Sequence, residues 1–113
     1  MQNKQSSEQG KSAATEHKAV TAPEMDRLAY VGRYRIAVQP SIFTSRPGKT
    51  DIRISEESRW GGRDKNGKLY MTSLVLDAED YATVRSYQLV PDDIVQAAKN
   101  HAESLRASGG IVE

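Results

Sequence analysis

The segment that decides the fold is Arg33-Tyr-Arg-Ile-Ala-Val-Gln39, in which polar and apolar side chains alternate without interruption. Successive side chains of an extended chain point to opposite faces of a sheet, so this period of two predicts a strand with one buried and one polar face. Pro40 ends the strand, because proline has no backbone N–H to donate to a neighbouring strand.

Two further segments carry strand patterns. Asp51-Ile-Arg-Ile-Ser55 repeats the alternation, and the run from Leu69 to Leu76 is longer and largely apolar. Between them, Asn66-Gly67 is the strongest hairpin signal in the chain, and it predicts a type I′ turn with positive φ at both central residues. The three segments together predict an antiparallel meander.

Helices are predicted on either side of the strands. Thr21-Ala-Pro-Glu24 has the spacing of a capping box, which predicts a short helix over residues 22–30. Pro91-Asp92-Asp93 suits the first turn of a second helix, where the helix dipole favours negative charge, and Gly109-Gly110 ends it. The buried stripe of the second helix is expected to consist of Ile94, Ala98, His101, Ala102 and Leu105.

Residues 78–88 carry two competing patterns. The spacing of Tyr81 and Val84 suits a helix that Asp77 caps, whereas the alternate positions from Tyr81 to Tyr87 suit a strand. We expect a short helix here. The predicted architecture is a small α+β fold: a three-stranded antiparallel meander with the C-terminal helix packed on one face and a short N-terminal helix.

Length and composition predict one small domain. The chain has 113 residues, and residues 1–20 contain almost no large apolar side chains, so we expect a disordered tail there and a single domain over 21–110. No stretch approaches the roughly 20 apolar residues of a membrane span, and the polar start lacks the core of a signal peptide. Without cysteine there is no disulfide framework, and we expect a cytoplasmic protein.

Residues suited to catalysis or metal binding are sparse. His17 lies in the expected tail and His101 in the apolar helical stripe, and neither has a second histidine at i+4 or a cysteine to complete a metal site. Gly62 to Lys68 has the glycine and lysine spacing of a phosphate loop, but Leu69 replaces the hydroxyl that such a loop requires. No nucleophile, base and orienting group can be assembled, so we expect a non-catalytic protein without a cofactor or metal.

The charge distribution is more informative than the net charge of +1. From Arg27 to Lys68 there are ten basic and four acidic residues, whereas from Leu69 to Glu113 there are three basic and seven acidic residues. The basic half is therefore the half that contains the strands. A basic, strand-rich half is typical of a surface that meets an anionic partner.

Arginine and aromatic side chains on a sheet are one means of binding nucleic acid, because guanidinium groups contact phosphates and flat rings stack on exposed bases. Strand parity predicts that Arg33, Arg35 and Arg53 share one polar face, while other basic residues and a tryptophan crowd the hairpin. The residues predicted to bind nucleic acid, single-stranded or without sequence preference, are Arg33, Arg35, Arg53, Arg59, Trp60, Arg63, Lys65 and Lys68.

Other interpretations of the same residues stay open. Arginine on a solvated strand face also keeps a sheet soluble and its edges unpaired. The basic half of one copy can meet the acidic half of another in a homodimer, and Trp60 has the parity of the core unless a bulge intervenes. The sequence thus predicts a small binding domain for nucleic acid, with the alternative of a protein-interaction or regulatory module, such as an inhibitor, that recognises an acidic protein surface.

Overall fold

The computed structural model describes residues 27–63 and 65–111. They form a five-stranded antiparallel sheet, in which the strands follow one another in sequence order, and a C-terminal helix. The elements are β1 (Leu28–Val31), β2 (Tyr34–Pro40), β3 (Thr50–Arg63), β4 (Leu69–Asp77), β5 (Thr83–Ser86) and α1 (Asp92–Ala107). The predicted α+β class and the meander are confirmed, with five strands in place of three.

The short N-terminal helix predicted over residues 22–30 is not confirmed, and Leu28–Val31 is instead the edge strand β1. Ala29 and Val31, at alternate positions of β1, pack against the hydrophobic core. The extended conformation therefore buries the apolar side chains that a helix would have buried. Pairing with β2 therefore outweighs the local capping pattern. Residues 22–26 and the tail expected over 1–20 lie outside the described residues.

The short helix expected over residues 78–88 is wrong. Tyr81 takes a left-handed conformation with φ of 63°, and a right-handed helix does not continue through such a residue. The Asp77 carboxylate does accept hydrogen bonds from backbone N–H groups two and three residues on, at 2.7 and 3.1 Å, but it closes a turn. The strand alternative for this segment is the observed one, since β5 follows the turn.

The hairpin predicted at Asn66-Gly67 joins β3 to β4, as expected, but its turn type differs. Gly67 has a φ of 83°, whereas Asn66 does not take a positive φ, so the turn is not of type I′. The hairpin is long, and its register changes at two places. These irregularities decide which side chains reach which face of the sheet.

The helix α1 covers one face of the sheet and forms the core with it, as predicted. Buried side chains of the sheet (Ile36, Val38, Ile52, Ile54 and Leu76) pack against Ile94, Ala98, Ala102 and Leu105 of the helix. Gly109, with a φ of 80°, ends the helix where the sequence indicated. Neither α1 nor any other helix of the described residues has the length and apolar composition needed to cross a membrane.

Candidate functional site

The face of the sheet opposite α1, here called the open face, receives alternate residues of all five strands. Residues paired across strands lie on the same face, so the register arranges the open face in rows. The rows, in order along the strands, are Glu57 and Tyr70; then Tyr30, Arg35, Ser55 and Thr72; then Leu28, Ala37, Arg53, Val75 and Arg85; and last Gln39, Asp51 and Asp77.

Arg35 lies against an aromatic ring of the open face. Its guanidinium carbon is 4.7 Å from the centroid of the Tyr70 ring, and the Tyr30 ring is tilted against Tyr70 at 6.5 Å. The ring attracts the cation through its quadrupole and leaves the positive charge in place. Arg35 Nε is buried and has no hydrogen-bond partner among the described residues.

Arg53 and Arg85 occupy the next row of the open face. Arg53 Nη2 donates to Thr72 Oγ1 at 2.8 Å, and the guanidinium carbon of Arg85 lies 5.3 Å from the centroid of the Phe43 ring. None of the ion pairs formed within the described residues includes Arg35, Arg53 or Arg85. The three arginines are therefore held by neutral partners and keep their charge.

A single arginine binds both carboxylates at the acidic end of the open face. Arg46, in the loop between β2 and β3, places Nη2 at 2.6 Å from Asp51 Oδ1 and 2.7 Å from Asp77 Oδ2. Asp51 is only 1% exposed, so its carboxylate depends on this contact for compensation.

The contact with Arg46 also affects the pKa of Asp77. Partial burial alone would raise its pKa, but the hydrogen bonds from Arg46 and from two backbone N–H groups bring the pKa below the ordinary 3.8. For Arg46, desolvation alone would lower the pKa, and the hydrogen bonds to Asp77 and Asp51 raise it. The carboxylates are thus bound to Arg46 and do not compensate the other arginines of the open face.

The expected grouping of Arg33 with Arg35 and Arg53 is wrong for Arg33, because β2 begins one residue later and strand parity does not extend into the turn. Arg33 Nε lies 3.1 Å from Glu56 Oε2. Glu56 is paired with Tyr34, which packs against the core, so this ion pair lies on the side of α1. Arg35 and Arg53 do share one face, as predicted.

Trp60 is outside the core because β3 bulges. Both Glu57 and Gly62 are paired with Tyr70, so the four residues between them are looped out of the sheet. The Trp60 side chain is 75% exposed. It lines a pocket on the side of α1 with Arg33, Arg59, Met71 and Gln88, so Trp60 and Arg59 are separated from the open face.

The remaining predicted residues lie at the tip of the β3–β4 hairpin. Arg63 Nη1 donates to the backbone oxygen of Gly67 at 2.7 Å, Lys68 Nζ is 3.3 Å from Glu57 Oε2, and Lys65 is exposed. The predicted set is therefore distributed over three places: the open face, the pocket beside Trp60, and the hairpin tip.

Several members of the open face were missing from the predicted set. Tyr30 was expected in a helix and Arg85 in another, so neither was assigned to the sheet. The alternation of Tyr81, Thr83 and Arg85 indicated a strand, but it could not have given the face of Arg85. A register shift pairs Thr83 with Leu76 of the covered face and Arg85 with Val75 of the open face. Tyr70 belongs to the strand predicted from Leu69 to Leu76, to which no binding residue was assigned.

Within the described part of the chain, no group of three or more His, Cys, Asp or Glu is arranged to hold a metal ion. Comparison with protein families, with curated proteins and with solved structures finds no match for this chain. The fold and the surface define an α+β domain that covers one face of its antiparallel sheet with a helix and presents arginine and aromatic side chains on the other.

Proposed function

We propose that this protein is a small, non-catalytic domain that binds nucleic acid through the open face. The observation that carries the proposal is the set of three arginines on one sheet face without a carboxylate partner among the described residues, next to the rings of Tyr30 and Tyr70. Guanidinium groups bind phosphates, and exposed rings stack on bases.

The spacing of the arginines suits a phosphate backbone that crosses the sheet. Arg35 and Arg53 are diagonal neighbours on adjacent strands, a relation that separates their Cα atoms by roughly 7–8 Å. Arg85 is two strands from Arg53 in the same row, a separation of roughly 10 Å. Tyr30 is 56% exposed, so its ring is available to a base.

The hairpin tip extends the proposed basic surface. Arg63 is the last residue of β3, and Lys65 and Lys68 lie between β3 and β4. These two strands carry Arg53 and Tyr70. In this proposal they contact phosphates beyond the open face, where they add affinity but no base recognition. Arg33, Arg59 and Trp60 contribute only where a bound strand continues around the end of the sheet.

The proposal is tested by a salt series of binding to single- and double-stranded oligonucleotides. Arg35→Gln and Arg53→Gln are expected to weaken binding several-fold and to flatten the salt dependence by about 0.7 per lost phosphate contact on a single strand. Lys99→Gln is the matched control, because it removes the same charge from α1. A folded double variant of Arg35 and Arg53 with unchanged affinity would remove the proposal.

A second candidate function is a protein-interaction or regulatory module. It is favoured by exposed apolar side chains on the side of α1, where Trp60, Met71 and Leu89 are 75%, 45% and 94% exposed. Arg59 beside Trp60 suits an acidic protein surface or a second copy of this chain, whereas Arg33 of the same pocket is already paired with Glu56. Sedimentation of the wild type and of Trp60→Ala tests self-association: a dimer that the substitution dissociates supports this candidate.

A further inference from the structure

Residues 41–49, here called the 41–49 loop, connect β2 to β3 and close on themselves. The Ser41 N–H donates to the backbone oxygen of Lys49 at 2.9 Å, and the Arg46 N–H donates to that of Phe43 at 3.0 Å. The Arg46 guanidinium then ties the loop to Asp51 and Asp77 at the acidic end of the open face. Hydrogen bonds therefore hold the loop together internally and bind it to the sheet.

The 41–49 loop forms a recess with the edge strand β5. Phe43, Ser45 and Arg46 line one side of this recess, and Thr83 and Arg85 line the other. Arg85 is also a member of the row that contains Arg53, and Asp77 belongs to the last row, so the recess borders the open face.

We propose that this recess is a second subsite for single-stranded nucleic acid, in which one base stacks on Phe43. The Arg85 guanidinium, which lies over the Phe43 ring at 5.3 Å, moves off the ring to contact the adjoining phosphate, and the base takes its place. The inference rests on the proposed function of the open face and extends the path of the strand to the edge of the sheet. Charge complementarity favours this occupant, because Arg53 and Arg85 place positive charge in the row that leads to the recess.

The carboxylates around the recess orient the strand. Asp77 is bound to Arg46, and Asp80 Oδ1 accepts a hydrogen bond from the Ala82 N–H at 2.9 Å. Asp80 also lines the recess, so the negative phosphate is directed toward Arg85 and away from the side of Asp80. A single strand is required, because a base within a duplex is already stacked between its neighbours and has no free face for Phe43.

Arg46 acts here as a positioning residue. It touches no nucleotide in this proposal, but it holds the loop that carries Phe43 by its backbone N–H and its guanidinium. Lysine in its place keeps the charge but lacks the planar fork that reaches both carboxylates. Arg46→Lys is therefore expected to lower affinity through the placement of Phe43.

The subsite is tested by measuring the affinity for oligothymidylates of about 4 to 16 nucleotides, a range that covers one binding domain. Phe43→Ala and Phe43→Leu are both expected to weaken binding of the longer oligonucleotides roughly 5- to 150-fold, the effect of one lost stacked base. Phe43→Leu keeps the apolar volume and so separates stacking from packing. The neighbouring Ile42→Ala, at a position that is 63% exposed, is expected to change nothing.

Arg85→Gln is expected to weaken binding and to flatten the salt dependence by about 0.7, the effect of one phosphate contact on a single strand. For Arg46, the double variant Phe43→Ala/Arg46→Lys is expected to bind no more weakly than Phe43→Ala, because both changes remove the same contact. Additive losses in this cycle would overturn the positioning role.

The outcomes separate this inference from the proposed function. Should Arg35 and Arg53 matter to binding while Phe43 and Arg85 do not, the recess is no subsite and the open face alone binds the strand. Should the wild type bind no oligothymidylate at low salt, both the open face and the recess lose their assignment.

Discussion

The two faces of the sheet are made by the same strands but differ in every other respect. On the face that α1 covers, Ile36, Val38, Ile52 and Ile54 are all 0% exposed. On the open face, the residues between them include Arg35 and Arg53, whose charges have no carboxylate partner within the described residues. One face thus stabilises the fold, and the other presents charge.

The open face nevertheless contains buried residues. Ser55 and Val75 belong to it and are 3% and 0% exposed. Arg35 is paired with Ser55, and Arg53 is paired with Val75. The apolar stems of the two arginines therefore lie next to these small residues. Burial alone therefore does not identify the face that holds the core, whereas the chemistry of the groups that cover each face does.

The largest expected effect tests the covered face. Ile94→Ala and Leu105→Ala are each expected to lower the free energy of unfolding by about 2–4 kcal/mol, because each leaves a cavity between α1 and the sheet. Urea denaturation measures the change. Gln96→Ala, at an exposed position of the same helix, is the control, and equal losses in all three variants would contradict the assignment of the covered face.

A smaller effect is expected at the acidic end of the open face. Arg46→Met is expected to lower the free energy of unfolding by about 1.5–3 kcal/mol, since it removes charged hydrogen bonds and leaves Asp51 buried without its partner. Thermal or urea denaturation checks this value. An unchanged stability would show that the 41–49 loop is not fastened to the sheet by this contact.

The pH dependence follows from the lowered pKa of Asp77. A carboxyl whose pKa is lower in the folded than in the unfolded state stabilises the fold above the unfolded value and loses that contribution as pH falls. The wild type is therefore expected to lose stability as the pH drops below 3.8 and through the folded pKa. In Asp77→Asn this part of the acid-induced loss should be absent, and a parallel decline in both proteins would contradict the expectation.

A still smaller effect is expected for the arginines of the open face. Arg35→Gln removes a cation–π contact with Tyr70 and is expected to cost about 0.5–1 kcal/mol of stability, much less than a core substitution. Its effect on nucleic-acid binding should be larger than its effect on unfolding. A loss of stability as large as that of Leu105→Ala would contradict the view that only the covered face stabilises the fold.

The smallest effect is expected from the chain that precedes the sheet. Deletion of residues 1–20 should leave the thermal midpoint nearly unchanged, because this segment offers few apolar side chains to a core. A drop of several degrees would show that the segment docks on the domain and would move the domain boundary.

Strand parity predicted part of the candidate site correctly and failed where the backbone departs from a regular strand. Arg35 and Arg53 share a face because β2 and β3 are regular where these residues lie. Arg33 lies in a turn and Trp60 in a bulge. Alternation along a regular strand therefore could not predict the face on which either side chain lies. A bulge depends on how two strands pair, and neither strand shows it alone.

The sequence by itself determined the elements whose apolar side chains recur with a regular period along the chain. These elements are β2, the first half of β3, β4 and α1. Their periods of two and 3.6 residues are set by backbone geometry, so they can be counted in the chain. Only the tertiary structure decided the edge strands β1 and β5, which are four residues long each and obtain their conformation from hydrogen bonds to a neighbour. Those pairings bring Tyr30 and Arg85 onto the open face, because strand partners far apart in the chain determine which short segments extend a sheet.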